Sequence, residues 1–313
     1  MKRYLVTGGA GFIGSHIVRA LLQQGAFVRV LDNFSSGRRE NLEGLANSKN
    51  GDCLEILEGD VRDAIKAADA VRNIEVIFHE AAFVSVPESM EKPQVCFDVN
   101  VTGTLILFEA ARKAGVRRAV IASSAAVYGD SEELPLVENA TLRPMSPYAM
   151  SKRVDEMYAG LYTQSFGLEV AALRYFNVYG PRQRPDSMYA AAVPIFIHRL
   201  HDGKPVTIFG DGEQTRDLIF VGDVVRANLI ASEHPAAAGQ IFNICTGAET
   251  RVLDLVNVLY DLFPKTPKPI FDAPRAGDIY KSLGCPDKAE KMIDFKAQTT
   301  LTAGLKETVA WMQ

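Results

Sequence analysis

The segment Tyr4-Leu5-Val6-Thr7, a run of strand-forming residues, passes directly into Gly8-Gly9-Ala10-Gly11-Phe12-Ile13-Gly14, and a helical apolar pattern at Ile17, Leu21 and Leu22 follows. Glycines spaced Gly8-x-x-Gly11-x-x-Gly14 between a strand and a helix permit a tight turn, close approach of a pyrophosphate to the helix N-terminus, and close helix-to-strand contact. A glycine triplet alone specifies only a turn. The next strand pattern, Phe27 to Leu31, ends in Asp32-Asn33, eighteen residues beyond Gly14, where an acidic side chain meets the ribose of a dinucleotide. A carboxylate there accepts from a 2′-hydroxyl and repels a 2′-phosphate, which favours NAD over NADP. Arg38 and Arg39 keep NADP open, and Asp32 as a plain loop cap is the alternative.

The same strand-then-helix rhythm recurs. Short apolar runs at Leu54 to Glu58, Val76 to His79, Arg118 to Ser123 and Val170 to Arg174 alternate with helix-like stretches. Such alternation predicts βαβ units, hence a Rossmann-type doubly wound parallel sheet covered on both faces. After Asn177 the rhythm breaks at Pro181, Pro185, Pro205 and Gly210, resumes with a helix near Val224 to Glu233, and a strand at Gln240 to Cys245 returns to the sheet. Residues 1–176 plus about 218–247 therefore read as a dinucleotide-binding domain. Residues 177–217 plus 248–313 read as a smaller α/β substrate lobe interleaved with it.

Ligands of an open α/β sheet lie beyond the carboxyl ends of its strands. Asp60, after Leu57-Glu58-Gly59, and Ala81-Ala82, after His79-Glu80, should border the cofactor. Asp60 is a candidate for the adenine amine, with an ordinary turn residue as the equal alternative. Lys and Arg total 34 against 38 Asp and Glu, without a basic block, so nothing points to nucleic acid or a membrane surface. The four cysteines form no Cys-x-x-Cys pair, and no apolar run approaches the roughly 20 residues of a membrane span. A reduced, cytoplasmic protein without structural metal is the expectation.

Ser123-Ser124 ends one strand pattern, and Tyr148-Ala149-Met150-Ser151-Lys152 opens a helix after Pro144 and Pro147. Residues four apart share a helix face, so Tyr148 and Lys152 can point together into a cleft. A free phenol ionises near pH 10, too high for a base at neutral pH, but a neighbouring ammonium and a cationic nicotinamide favour the phenolate. Tyr148 could then take a proton from a substrate hydroxyl, with Ser124 hydrogen-bonding the developing oxyanion.

Taken together, TGGAGFIGSH, LDNFSSG, GDVRD, HEAAFVSVPES, SSAAVYGD, SPYAMSK, LRYFNVYGPRQ, FGDGEQTRDLIFVGDVV and RAGD span nearly the whole chain. They resemble the extended short-chain dehydrogenase/reductases, specifically the nucleotide-sugar 4-epimerases. The resemblance implies bound NAD contacted by Gly8, Gly11, Phe12, Ile13, Asp32 and Asn33. It adds Asp60, Val61, Ala81, Ala82, Asn100, Tyr148, Lys152 and Tyr175. It also implies a homodimer, through helices placed near Val99 to Ala114 and Met150 to Phe166, whose residues Met157, Tyr158, Leu161 and Tyr162 spread apolar surface over more than one face.

Sibling dehydratases carry Asp-Glu directly after the catalytic hydroxyl residue, and decarboxylases a Glu; here Ala125 and Ala126 follow Ser124, and neither can move a proton. A nucleotide-sugar dehydrogenase or reductase with net redox change stays open, as does a non-catalytic NAD sensor. By resemblance Asn177, Arg216 and Arg275 contact the sugar diphosphate and Asp278 the nucleoside ribose. Ser282 falls at the far wall of the hexose pocket, where a serine leaves room that a tyrosine would fill, unless the loop is shifted and Tyr280 is the wall. Ser85 and the stretch Tyr189 to Pro194 resemble the branch that accepts acetamido sugars, although Ser85 could equally be a turn residue. UDP-N-acetylglucosamine and its galacto epimer are thus the expected substrates, with UDP-glucose as a weaker one.

Overall fold

The computed structural model describes residues 1–45, 53–185, 192–263, 267–274 and 279–312. Its strands are β1 (Arg3–Thr7), β2 (Phe27–Asp32), β3 (Leu54–Glu58), β4 (Val76–His79), β5 (Arg118–Ser124) and β6 (Glu169–Tyr175). Short strands β7 (Asn177–Tyr179), β8 (Thr207–Phe209), β9 (Thr215–Arg216) and β10 (Leu218–Phe220) precede β11 (Ile241–Ile244), β12 (Thr250–Arg251) and β13 (Ile270–Asp272). Seven of them form one parallel sheet in the order β11-β6-β5-β4-β1-β2-β3. The strand order reverses at β1, so the crevice beyond its carboxyl end is a ligand site by topology alone.

Alternation along the strands explains why both faces are covered. Val6, Val28, Val30, Phe78 and Val120 face the helices Phe12–Gln23 and Val221–Glu233, packing on Ile17, Val18, Leu21 and Ala227. Leu5, Leu31, Ile77, Ala119 and Ile121 face the other way, onto Ala70, Leu107, Phe108 and Tyr162 of the helices Ala64–Ala70, Gly103–Ala114 and Pro147–Phe166. The return strand is present: β11 pairs parallel with β6. A further apolar cluster joins the helices Ala192–His201, Val252–Leu262 and Leu301–Met312 around Phe196, Ile197, Leu259 and Leu305. Around it β7 pairs with β10, β8 with β13 and β9 with β12.

One helix differs from its pattern. The expected helix over Val99 to Ala114 is helical from Gly103, and Asp98–Thr102 forms a π turn in front of it. Such a bulge re-aims one side chain and is frequent at functional sites. The turn contains Asn100, which is buried.

Candidate active site

The glycine loop has the geometry that a dinucleotide demands. Gly8 has φ +66°, and a Cβ there would lie 2.7 Å from the Ala81 backbone nitrogen; one on Gly14 would lie 2.2 Å from the Gly8 carbonyl oxygen. No side chain caps the helix Phe12–Gln23 at Gly11. The first-turn N–H groups around Phe12 and Ile13 therefore remain available to an anion, with the helix dipole behind them. Asp32 accepts from Ala10 N at 2.9 Å and Phe34 N at 2.8 Å, and burial pushes its carboxyl up. Each oxygen keeps a lone pair for ribose hydroxyls.

Asp60 is engaged by its neighbours. Arg62 donates to both of its oxygens at 2.9 and 2.8 Å, and Asn33 adds a bond at 2.8 Å. The Arg62 guanidinium holds this carboxyl well below the usual range. Val61 is buried against Gly103, where a Cβ would meet it at 2.8 Å. Asn100 accepts from Phe83 N at 2.7 Å and donates to Phe83 O at 3.1 Å and Ser151 Oγ at 2.8 Å. Its amide thereby ties the Ala81-Ala82 loop to the helix that carries Tyr148.

That helix is started by Ser146, whose hydroxyl accepts from Ala149 N at 3.1 Å, and by Pro147 in its first turn. Ser89 Oγ accepts from Tyr148 N at 3.2 Å. Tyr148 is half-buried, one helical turn before the buried Lys152. Ser124 stands at the end of β5 opposite Tyr175 on β6. Its oxygen accepts from Ala126 N at 3.1 Å, which leaves the hydroxyl hydrogen to donate into the cleft.

Several groups here are not singled out by sequence reasoning. Glu80 accepts from Tyr175 Oη at 2.8 Å, and Asn228 Nδ2 donates to that same phenol oxygen at 2.8 Å. Asp155 Oδ2 lies 3.7 Å from Lys152 Nζ, while its Oδ1 is buried without a hydrogen-bond partner. Burial pushes both carboxyls up to about 7. His79 bridges Thr7 Oγ1 at 2.7 Å and Thr104 Oγ1 at 2.9 Å, and burial drives it down to about 3, so it is neutral. Thr104 spends its hydrogen on the Asn100 carbonyl, so His79 donates from Nε2 and accepts at Nδ1.

Behind Ser124 runs a buried network. Arg174 makes two bonds to Glu156, at 2.7 and 2.8 Å, and donates to Tyr128 Oη at 2.8 Å. Ser123 Oγ donates to Glu156 at 2.7 Å, and Tyr128 Oη donates to Asn243 Oδ1 on β11 at 2.6 Å. The signal for these groups is charge in a buried setting: Arg174 interrupts a core strand, and Asp155 and Glu156 lie three and four residues after Lys152.

Across the crevice, Asp217 organises the other wall. It accepts from Thr246 N, Thr246 Oγ1, Gly247 N and Gly284 N, while its carbonyl accepts from the Asn177 backbone and side chain at 3.1 and 3.3 Å. Ser282 N donates to Thr215 O at 3.2 Å, which sets Ser282 beside the strand of Arg216. Tyr280 is half-exposed, with its hydroxyl on Asp211 Oδ2 at 3.2 Å. Ser85 caps the helix Val86–Glu91, accepting from Glu88 N at 3.2 Å, a local role that leaves its hydrogen to donate. Arg275, Asp278 and Tyr189 to Ala191 lie outside the described residues. Among the described residues there is no cluster that could hold a metal and no helix long and apolar enough to cross a membrane.

A glycine-looped parallel sheet, with Asp32 and Ser124 at the carboxyl ends of β2 and β5 and a helix over Pro147–Phe166 that carries Tyr148 and Lys152, is the architecture of a dinucleotide-dependent enzyme of the short-chain dehydrogenase/reductase type. The family model described as NAD dependent epimerase/dehydratase matches residues 4–245. The chain is 41% identical over 313 residues to the UDP-glucose 4-epimerase of Mycolicibacterium smegmatis, covering 99% of this chain and 98% of that one. A solved UDP-N-acetylglucosamine 4-epimerase from Methanobrevibacter ruminantium, in complex with UDP-N-acetylmuramic acid, superposes with TM-score 0.94 at 37% identity, over 99% of this chain and 98% of that one. The Thermus thermophilus UDP-glucose 4-epimerase complex with NAD does so with TM-score 0.88 at 38% identity, over the same shares. The chain belongs to the NAD-dependent epimerase/dehydratase family, and it is an enzyme with NAD as cofactor.

Proposed function

We propose that this enzyme is a UDP-sugar 4-epimerase that works through a transient 4-keto sugar and prefers UDP-N-acetylglucosamine and UDP-N-acetylgalactosamine, with UDP-glucose and UDP-galactose as weaker substrates. The observation that carries the reaction class is the arrangement of Ser124, Tyr148 and Lys152 at the sheet's carboxyl edge, with alanines at 125 and 126 where elimination chemistry needs an acid. The cradle fits NAD: Gly8 and Gly14 have no room for a Cβ, and the uncapped helix N-terminus and Asp32 match the pyrophosphate and ribose. When bound in this cradle, NAD would supply reversible hydride acceptance at C4 of the sugar.

Within this reading Tyr148 takes the C4 hydroxyl proton and gives it back after the keto sugar has turned about its diphosphate. Ser124 donates to the same oxygen as charge develops, and Lys152 lies one helical turn beyond Tyr148. Asn177, Arg216 and Arg275 hold the diphosphate and Asp278 the nucleoside ribose, leaving the hexose loose enough to turn. Residues 1–176 and about 218–247 serve the cofactor, and 177–217 with 248–313 serve the sugar nucleotide.

Support for the acetamido preference comes from Ser282. It lies next to Arg216, while Asp211 draws the Tyr280 ring toward solvent. A serine at the pocket wall leaves space for a 2-acetamido group, and overpacking such space costs about 1–3 kcal/mol. Ser282→Tyr is expected to lower turnover of UDP-N-acetylglucosamine about tenfold or more while sparing UDP-glucose, read by resolving the products of a UDP-hexose panel. Equal loss on both sugars refutes the assignment.

Exposed apolar side chains gather on the helices Pro93–Phe97 and Pro147–Phe166, namely Val95, Phe97, Met150, Met157 and Leu161. Tyr162 is not among them; it turns inward and donates to Glu109 at 2.7 Å. The resemblance places the contact on the helices near Val99 to Ala114 and Met150 to Phe166; Gly103–Ala114 carries no large exposed apolar side chain, and the face on Pro93–Phe97 and Pro147–Phe166 supports a homodimer with a second copy. Light scattering at micromolar concentration should give twice the chain mass, and a monomer mass rejects the assembly.

A further inference from the structure

The helix Pro147–Phe166 carries two adjacent buried carboxylates whose surroundings differ. Glu156 is saturated: it takes two bonds from Arg174, at 2.7 and 2.8 Å, and one from Ser123 at 2.7 Å. Asp155 is not. Its Oδ2 stands 3.7 Å from Lys152 Nζ, beyond hydrogen-bonding distance, and its Oδ1 is buried without a hydrogen-bond partner. Such an orphaned oxygen is rare in a packed interior and calls for a reason. The polar groups where this helix meets residues 98–114 are already engaged with one another. Thr104 donates to the Asn100 carbonyl and accepts from His79 Nε2 at 2.9 Å, while Ser151 Oγ accepts from Asn100 Nδ2 and donates to the Tyr148 carbonyl, both at 2.8 Å. Among the described residues, Lys152 is the one cation within 4.0 Å of Asp155, and both are buried.

A buried ion pair recovers its desolvation cost best when it closes to hydrogen bonds, as Arg174 and Glu156 do. Lys152 and Asp155 stop short of that. They share charge, yet the ammonium spends no N–H donor on the carboxylate, so its donors are kept for a ligand. Topology says which part of a dinucleotide that ligand is. The crevice opens beyond β1; Asp32 ends β2 on one side of it, and β5 ends on the other, where Ser123 is bonded to the helix of Lys152. With one ribose at Asp32 and the pyrophosphate at the glycine loop, the second ribose falls on the side of Lys152. We propose that Asp155 is a positioning residue: it neutralises Lys152 without occupying its donors, and so holds the ammonium ready for the nicotinamide-side ribose of NAD. The inference rests on the reading of Lys152 as a cofactor contact, through which Asp155 acts.

Asp155→Asn keeps the size of the side chain and removes its charge. Two affinities of the full chain test it: that for labelled NAD, and that for ADP, read by displacement of the label. ADP has the pyrophosphate and the first ribose but lacks the second. Both are measured at pH 8, where a carboxyl pushed up to about 7 is ionised. NAD affinity should fall about tenfold or more, the size of one charge-assisted hydrogen bond, while ADP affinity stays at the parental value. In the Lys152→Met background the same substitution should change NAD affinity by less than about twofold, because the residue through which it acts is gone. Asp155→Ser, smaller than the residue it replaces, carries the test where the Asn variant fails to fold. A merely structural role weakens NAD and ADP alike, or weakens NAD equally with and without Lys152. Either result, or parental NAD affinity in a folded variant, overturns the proposal. A Lys152→Met enzyme that binds NAD as the parent does overturns instead the cofactor reading of Lys152 beneath it.

Discussion

Tyr148→Phe should fold as the parent does and lose at least about a hundredfold in turnover, since a positioned acid/base contributes roughly 10²–10⁴. The substitution is conservative for packing because the ring stays half-buried at the start of its helix and the backbone N–H still reaches Ser89 Oγ at 3.2 Å. Only the proton carrier is removed. Ser124 has its oxygen committed to Ala126 N at 3.1 Å, and Lys152 is held by Asp155, so neither is placed to substitute as the base. Turnover with either UDP-hexose, measured with NAD content and melting temperature, separates lost chemistry from lost fold. A variant that keeps near-parental turnover removes Tyr148 from the mechanism.

The second large effect lies behind the site. Glu156→Gln should destabilise the protein by about 3–5 kcal/mol, the usual result of leaving a buried charge without its counter-ion. Arg174 is 1% exposed, and its two bonds to Glu156 are the only ones it makes to a carboxylate among the described residues. The same carboxylate accepts from Ser123, so the strand that ends at Ser124 loses a tether as well. Denaturant unfolding measures this directly, and a loss under about 1 kcal/mol would show that the network is dispensable. A double replacement of Arg174 and Glu156 by apolar residues of similar volume should recover much of the loss, because it leaves no orphaned charge.

These two effects differ in how far they can be read from the chain alone. The parallel sheet was legible because its strands, buried on both faces, are continuous apolar runs: the expected Phe27 to Leu31 appears as Phe27–Asp32, and Gln240 to Cys245 as Ile241–Ile244. Gly8, Asp32, Tyr148 and Lys152 stood out by spacing, which is a local property. The Glu156–Arg174 pair did not, since the partners lie 18 residues apart on different elements and only the packed sheet brings them together. Asp217 is similar, reaching Thr246 and Gly284 from 29 and 67 residues away. The π turn that buries Asn100 leaves no period in the sequence, because one inserted residue is invisible within a helical pattern. Tyr162 looked like partner-facing surface because periodicity shows that a residue is apolar, and not which of two neighbours covers it.

The position of β11 governs how such a chain can mature. Its partner β6 is complete at Tyr175, yet the segment that covers that flank begins at Ile241, after the whole excursion through β7 to β10. During synthesis the apolar run Val170 to Leu173 has no lateral neighbour on that side until those later residues emerge. Pairing so distant in sequence is slow to form, and a bare flat strand is a template for association with other chains. A nascent or truncated chain that stops short of Ile241 would thus carry a sticky border and also lack Asn243, the acceptor that holds Tyr128 and, through it, Arg174. The strand that completes the sheet thus also supplies Asn243 to the buried network behind Ser124, so a chain cut before Ile241 is expected to lose both together.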